Sequence, residues 1–282
     1  MAVADALVVP PAGAPPLGSR LWLYTNFDCN LACDYCCAVS SPRARPRRLE
    51  VEIARRACEE FAGLGGREVL LTGGEPFLVP ELGELVAAAA RWAPVTILTN
   101  GMVFARGSRR RTLEALDRDR VVLQVSLDSG TPGLHDRHRG AGTFDQARAG
   151  IALARELGFR VRVAATIDAA DRDEEAGFHR LMDADGVAPE DRLVRPVART
   201  GAAEQGLELS AAELWPEPTL AARRRLVASR RRRGRGDACG LRAAAARHRP
   251  RRDPRHAARC IRRSCGRSAG VPLHVRPWWA DG

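Results

Sequence analysis

Apolar and polar positions along the chain follow two alternating rhythms. Short runs rich in branched and aromatic residues predict strands over residues 21–27, 68–72, 95–99, 121–127, 159–167 and 193–197. The intervening stretches have helical spacing and predict helices over residues 50–64, 81–92, 108–116, 143–157 and 171–184. In the first helix Ile53, Ala57 and Phe61 fall on one face, and Gly65-Gly66 supplies its stop. Thr143 is placed to cap its helix, and Gly158 to end it.

Strands that alternate with helices build βαβ units and therefore a parallel sheet. Six strands predict an α/β fold, a partial (β/α)6 barrel of the TIM type, because a full eightfold barrel needs more chain. In such sheets the sites gather at the C-terminal strand ends. The polar clusters of this chain fall there. A cysteine-rich loop follows the first strand, Gly73-Gly74-Glu75-Pro76 the second and Asn100 the third, while Ser126 and Asp128 end the fourth.

Beyond Leu209 the rhythm fails. Residues 221–282 hold 19 Arg and three acids, whereas the first 220 residues hold 26 Arg and 31 acids. The net charge of +11 is thus a property of the tail, and the body is mildly acidic. The division expected is a flexible leader over 1–20, a core domain over 21–209 and an Arg-rich tail over 210–282. With so few large apolar residues the tail is expected to be disordered or loosely helical. Its composition, with no lysine anywhere in the chain, also fits GC-rich DNA read out of frame from somewhere after about residue 215. Its basic part lacks stacking aromatics, so nucleic acid is not expected as a partner.

No signal-peptide pattern opens the chain, and its most apolar stretch, over 85–98, is interrupted by Arg91 and Pro94. A cytoplasmic protein without a membrane partner is expected. In that compartment thiols stay reduced, and clustered cysteines read as metal ligands. Cys29, Cys33 and Cys36 stand at i, i+4 and i+7. Three such thiolates hold three corners of a four-iron cluster and leave one iron open; taken alone, they also suit zinc. Adjacent side chains point apart, so Cys37 is expected to be structural. Cys58, on a helical face, is expected to be buried as a small apolar residue. His135 and His138 are expected on a solvated loop beside the rim.

Cys29-x3-Cys33-x-Tyr35-Cys36 after a first strand resembles the signature of the radical S-adenosylmethionine (SAM) superfamily. Gly73-Gly74-Glu75-Pro76, Thr99-Asn100-Gly101 and Ser126-Leu127-Asp128, in that order, extend the likeness over about residues 20–200. It is strongest to the branch that holds the molybdenum-cofactor cyclase and the peptide-modifying enzymes. The resemblance implies a [4Fe–4S] cluster on Cys29, Cys33 and Cys36, with SAM on the open iron. Tyr35 would lie beside the adenine. Gly73, Gly74, Glu75 and Pro76 would meet the methionyl amine. Ser126, Asp128 and Asn100 would meet the ribose or carboxylate, with Arg195 a further candidate for the carboxylate. Reductive cleavage of SAM to a 5′-deoxyadenosyl radical would follow, then hydrogen abstraction from a small-molecule or peptide substrate. A flavodoxin or ferredoxin would supply the electron. A non-catalytic zinc or iron–sulfur protein and an inactive remnant are the alternative readings. Cys239, Cys260 and Cys265 match no auxiliary-cluster spacing.

Overall fold

The computed structural model describes residues 18–208, 215–221 and 275–276. Six parallel strands follow one another in space as in sequence: β1 (Arg20–Tyr24), β2 (Glu68–Thr72), β3 (Val95–Thr99), β4 (Val121–Ser126), β5 (Arg160–Ile167) and β6 (Arg192–Pro196). Consecutive parallel neighbours need a crossover each time, and the helices supply it. These are α1 (Val51–Gly63), α2 (Leu82–Ala90), α3 (Gly107–Ala115), the pair α4 (Pro132–Arg139) and α5 (Thr143–Glu156), and α6 (Glu174–Ala184).

Two strand pairings lie past the expected end of the core. Trp215–Pro216 (β7) pairs antiparallel with Val275–Arg276 (β9). Thr219–Ala221 (β8) joins the main sheet, parallel to β1 on its free side, with Leu23 opposite Leu220. The sheet therefore has seven strands, in the order β6-β5-β4-β3-β2-β1-β8. Glu217 anchors this return: its carboxylate lies 2.7 Å from the Arg20 guanidinium and accepts from the Trp22 indole N–H. Sheet order therefore continues beyond residue 209, as far as Ala221. Residues 1–17 of the leader and most of the tail, with Cys239, Cys260 and Cys265, lie outside the described residues, while Arg20 of the expected leader already belongs to β1.

Alternation along each strand separates two sides. Leu21 and Leu23, Val69 and Leu71, Val95 and Ile97, Leu123 and Val125, and Val161, Val163 and Ala165 are buried against the helices. The positions between them, such as Thr72, Gln124, Ser126 and Thr166, face the other way. Burial of apolar surface at roughly 25 cal/mol per Å² makes the helix-side layer the principal source of stability.

Two local expectations are corrected by packing. On α1 the buried face is Ala54, Ala57, Cys58 and Phe61, while Ile53 is 43% exposed. Ala57 and Phe61 are buried as expected, and Ala54 takes the place of Ile53 at the edge of the stripe. Thr143 is the first residue of α5 and does not cap it. Asp136 on α4 does so: its carboxylate accepts from the N–H of Gly142 (2.7 Å) and of Phe144 (2.8 Å). Helix α4 itself was not anticipated, and it carries His135 and His138. His135 is 1% exposed, so the expectation of a solvated loop does not hold for it.

Candidate active site

The C-terminal strand ends form one rim. On it the chain leaves β1 at Thr25 and enters the cysteine loop. Asn26 ties this exit to the next turn, with its Nδ2 donating to the carbonyls of Asp28 (2.8 Å) and Glu75 (3.1 Å). Ser41 closes the loop, since its carbonyl accepts from the Cys29 N–H at 3.3 Å. Cys29, Cys33 and Cys36 are free thiols and half-buried. Backbone N–H groups point at two of the sulfurs: Leu31 at Cys29 Sγ and Ser40 at Cys36 Sγ, each at 3.4 Å.

Burial pushes the Cys29 thiol up to about 12, with neighbouring negative groups adding to it. Burial also raises Cys33, while the Arg139 guanidinium opposes the shift. Such thiols become thiolates through a bound metal, which displaces the proton. Among the described residues no three His, Cys, Asp or Glu are arranged around a single metal ion. A cubane takes one thiolate per iron corner and needs a wider set. Three free thiols on one loop, with N–H donors aimed at sulfur, fit such a cluster. Two buried polar atoms beside the loop, Asp28 Oδ1 and Ser40 Oγ, have no hydrogen-bond partner. Uncompensated polar atoms of this kind are rare away from ligand and water sites.

The Gly73–Pro76 turn lies directly against the β1 exit. A Cβ on Gly73 would come within 2.4 Å of the Asn26 carbonyl oxygen, and one on Gly74 within 2.0 Å of that of Asp28. Glycine is needed here for contact between two stretches of backbone, in addition to any approach of a ligand. Glu75 is wholly buried. One of its oxygens accepts from Phe77 N–H (3.0 Å) and Thr99 Oγ1 (2.8 Å), and the other from Asn100 N–H (2.9 Å). The first of these caps the short turn that Pro76 begins. Burial raises the Glu75 carboxyl to about 7, against these donors. Its observed work is to join the ends of β2 and β3. Asn100 reaches back from β3, donating to Asn30 Oδ1 at 2.8 Å. Glu75 and Asn100 thus brace the Cys29 arm of the loop.

A second brace holds the Cys33–Cys36 arm. Asp128, also wholly buried, accepts from Arg139 Nε (2.6 Å), Arg139 Nη2 (3.1 Å), Thr166 N–H (3.1 Å) and the Tyr35 hydroxyl. Burial alone would raise its carboxyl, but Arg139 and Tyr35 outweigh that and hold it below the usual carboxylate range. With both oxygens doubly engaged, Asp128 is committed within the protein. The Arg139 guanidinium lies over the Tyr35 ring, 5.4 Å from its centroid. His135 accepts the Asp128 N–H on Nδ1 at 3.1 Å, and burial lowers it to about 4. At the next turn His138 meets Asp34 at 2.9 Å.

Ser126 is half-buried at the end of β4, on the side away from the helices. Arg195 stands opposite Thr166 on β6, far along the sheet from the Gly73–Pro76 turn. Burial lowers its pKa, helped by Arg20 and Arg162. The segment after β6 returns over the cysteine loop, where Ala202 N–H donates to the Cys36 carbonyl at 3.0 Å. Gly201 makes this approach with a positive φ of 65°; a Cβ there would lie 2.5 Å from the Cys36 carbonyl oxygen. A cleft of about 520 Å³ lies between this segment and the loop, lined by Cys33, Tyr35, Ser40, Asp168, Val197 and Ala202 among others.

Sequence reasoning missed Arg139, His135, Asn26 and Gly201–Ala202. The first two sit on α4, whose boundary signals are present: Pro132 as its first residue and Gly140 just beyond it. Asn26 and Gly201 carry no local signal, since their partners are distant in the chain.

Comparison with known proteins agrees with this geometry. The chain is 37% identical over 138 residues to a GTP 3′,8-cyclase of Stenotrophomonas maltophilia, covering 46% of this chain and 40% of that protein. It is 37% identical over 109 residues to the PqqA peptide cyclase of Ruegeria pomeroyi, covering 39% and 29%. An AdoMet-dependent heme synthase of Oleidesulfovibrio alaskensis is 26% identical over 156 residues, covering 55% and 39%. The chain thus spans about two fifths or less of the length of these relatives. Among solved structures, Streptococcus suis SuiB bound to S-adenosylmethionine shares the fold, with a TM-score of 0.57 at 16% identity over 69% of this chain and 44% of that one. The model of the Radical SAM superfamily matches residues 23–184, more than half of the chain, and the chain belongs to that superfamily.

Proposed function

We propose that this chain forms the catalytic core of a radical SAM enzyme. The observation that carries the reading is the cysteine loop: three free thiols, two with N–H donors aimed at sulfur, braced from both sides at the C-terminal rim of a parallel sheet. Cys29, Cys33 and Cys36 would hold a [4Fe–4S] cluster. When bound there, the cluster supplies the electron that cleaves SAM to methionine and a 5′-deoxyadenosyl radical, which takes hydrogen from the substrate.

The protein's part is to bind, orient and exclude water. The cleft beside Cys33 and Tyr35 offers room for the adenosyl end of SAM. The Gly73-Gly74 backbone, Asn100 and Ser126 would meet the methionyl end and the ribose; Arg195, on β6, is the more distant candidate for a carboxylate. Glu75 and Asp128 act through the loop they brace. The substrate is a peptide or a small molecule. The likeness to the PqqA peptide cyclase, and to SuiB bound to its precursor peptide, favours a peptide.

A one-electron carrier such as a flavodoxin or ferredoxin completes the reaction. Arg43, Arg45 and Arg48, exposed on the loop that leaves Ser41, give an acidic carrier a basic face to meet. No helix among the described residues is long and apolar enough to cross a membrane; the cytoplasm is the proposed location.

Anaerobic reconstitution tests the reading. About four irons and matching sulfide per chain are expected, lost when Cys29, Cys33 and Cys36 are changed together to Ala. Dithionite and SAM should then yield 5′-deoxyadenosine. Bound zinc, or a cluster that survives the triple change, would overturn it.

A further inference from the structure

Helix α4 grips the cysteine loop with its last two residues. The carbonyl of His138 accepts from the Asp34 N–H at 3.3 Å, and its ring meets the Asp34 carboxylate at 2.9 Å. Next to it, Arg139 spans from the end of β4 to Tyr35. It holds Asp128 in a two-point fork and lies over the ring of Tyr35, whose hydroxyl donates to the same carboxylate. Asp34 and Tyr35 are the two residues between Cys33 and Cys36. The helix end therefore sets the position of the second and third cysteines.

The Arg139 and Asp128 side chains are 9% and 0% exposed, so their charges are poorly screened. Both meet Tyr35, between Cys33 and Cys36: the guanidinium lies over its ring and the carboxylate accepts from its hydroxyl. The pair is neutral overall, and removing either partner leaves the charge of the other unbalanced beside the loop.

Resting on the radical SAM reading, we propose that Arg139 is a positioning residue that also sets the reduction potential of the cluster. A one-electron reduction adds one negative charge to the cluster. A buried guanidinium beside the Cys33–Cys36 arm would favour that charge, and a buried carboxylate left alone there would oppose it. The fork of Arg139 keeps Asp128 neutralised and Tyr35 in place, so one side chain serves both geometry and potential.

The test is an EPR-monitored redox titration of the reconstituted protein, with iron content measured alongside. Arg139→Gln removes the cation and exposes Asp128, so the midpoint should move to more negative potential. Asp128→Asn should move it the other way, and the double variant should fall between the two. Arg139→Lys, which keeps the charge but not the fork, should stay closer to wild type in potential than Arg139→Gln. A fully loaded Arg139→Gln protein with the wild-type midpoint would overturn the proposal. If that variant holds no iron, Asp128→Asn decides alone: a more positive midpoint supports the proposal and an unchanged one overturns it. Failure of the radical SAM reading itself would look different, as wild-type protein that holds no four-iron cluster.

Discussion

Two carboxylates at strand ends brace the same loop by opposite electrostatics. Glu75 and Asp128 are both wholly buried and both join neighbouring strands. Asp128 is matched by a guanidinium and lies below the usual carboxylate range, so it is charged whenever the protein is folded near neutral pH. Glu75 has only neutral donors, and its carboxyl is raised to about 7. The lesson is that burial does not decide the state of an acid. A cation within hydrogen-bonding reach does, because it returns what desolvation takes away.

The sharpest way to break this contrast is to remove the cation. Arg139→Ala would strand the Asp128 charge in the interior, at a cost of about 3–5 kcal/mol. Urea unfolding of the cluster-free protein should show a loss of that size. Changing Asp128 to Leu as well should recover part of it. A single variant as stable as wild type would mean that Asp128 does not depend on its partner.

The backbone contact under Glu75 should be nearly as sensitive. Gly74→Ala places a methyl 2.0 Å from the Asp28 carbonyl oxygen, a contact that the facing turn cannot relieve by a rotamer change. A loss of about 3 kcal/mol is expected, together with weaker retention of iron. Crystals of an unshifted, equally stable variant would remove this contact from the account.

The pH dependence separates the two braces. Glu75 is raised from 4.5 to about 7 in the fold, so the unfolded chain ionises first, and its contribution falls as pH rises from about 4.5 to 7. His135 is lowered from 6.5 to about 4, so the unfolded chain takes the proton first, and its contribution falls as pH drops from about 6.5 to 4. Each is worth roughly 3 kcal/mol across its window, and the two slopes oppose each other. Cluster-free wild-type protein should therefore show a shallow profile between pH 4.5 and 6.5. Glu75→Gln should make stability rise with pH in that range, and His135→Asn should make it fall. Parallel profiles for the two variants would contradict the assignment.

Tyr35→Phe is the mildest probe. It deletes one hydroxyl from a carboxylate that keeps three other donors. A loss of about 1–2 kcal/mol is expected in the same unfolding measurement.

The strands and most helices were legible because each depends on its own periodicity. Four of the six strands begin or end within a residue or two of expectation, and β2 and β3 coincide with it. Helix α4 escaped because it is only eight residues long, with Leu134 its one buried apolar residue. Strand β8 escaped because three residues carry no periodicity of their own; it is defined by its pairing with β1. At the site, the cysteines and the glycine turn could be found from spacing. The partners of Glu75 and Asp128 could not, because Thr99, Asn100, Arg139 and Thr166 reach them only after folding.

The sequence by itself determined the parallel α/β layout, the cysteine loop and the rim on which it sits, since these follow from local pattern and from the order of strands. Only the tertiary structure decided which residues are spent on holding the loop and which remain open to a ligand. It paired Asp128 with Arg139, brought Arg139 to the loop and left Glu75 with neutral hydrogen-bond donors alone. Those outcomes depend on distances between elements far apart in the chain, and in a low-dielectric interior a few ångströms of separation decide the charge of a side chain.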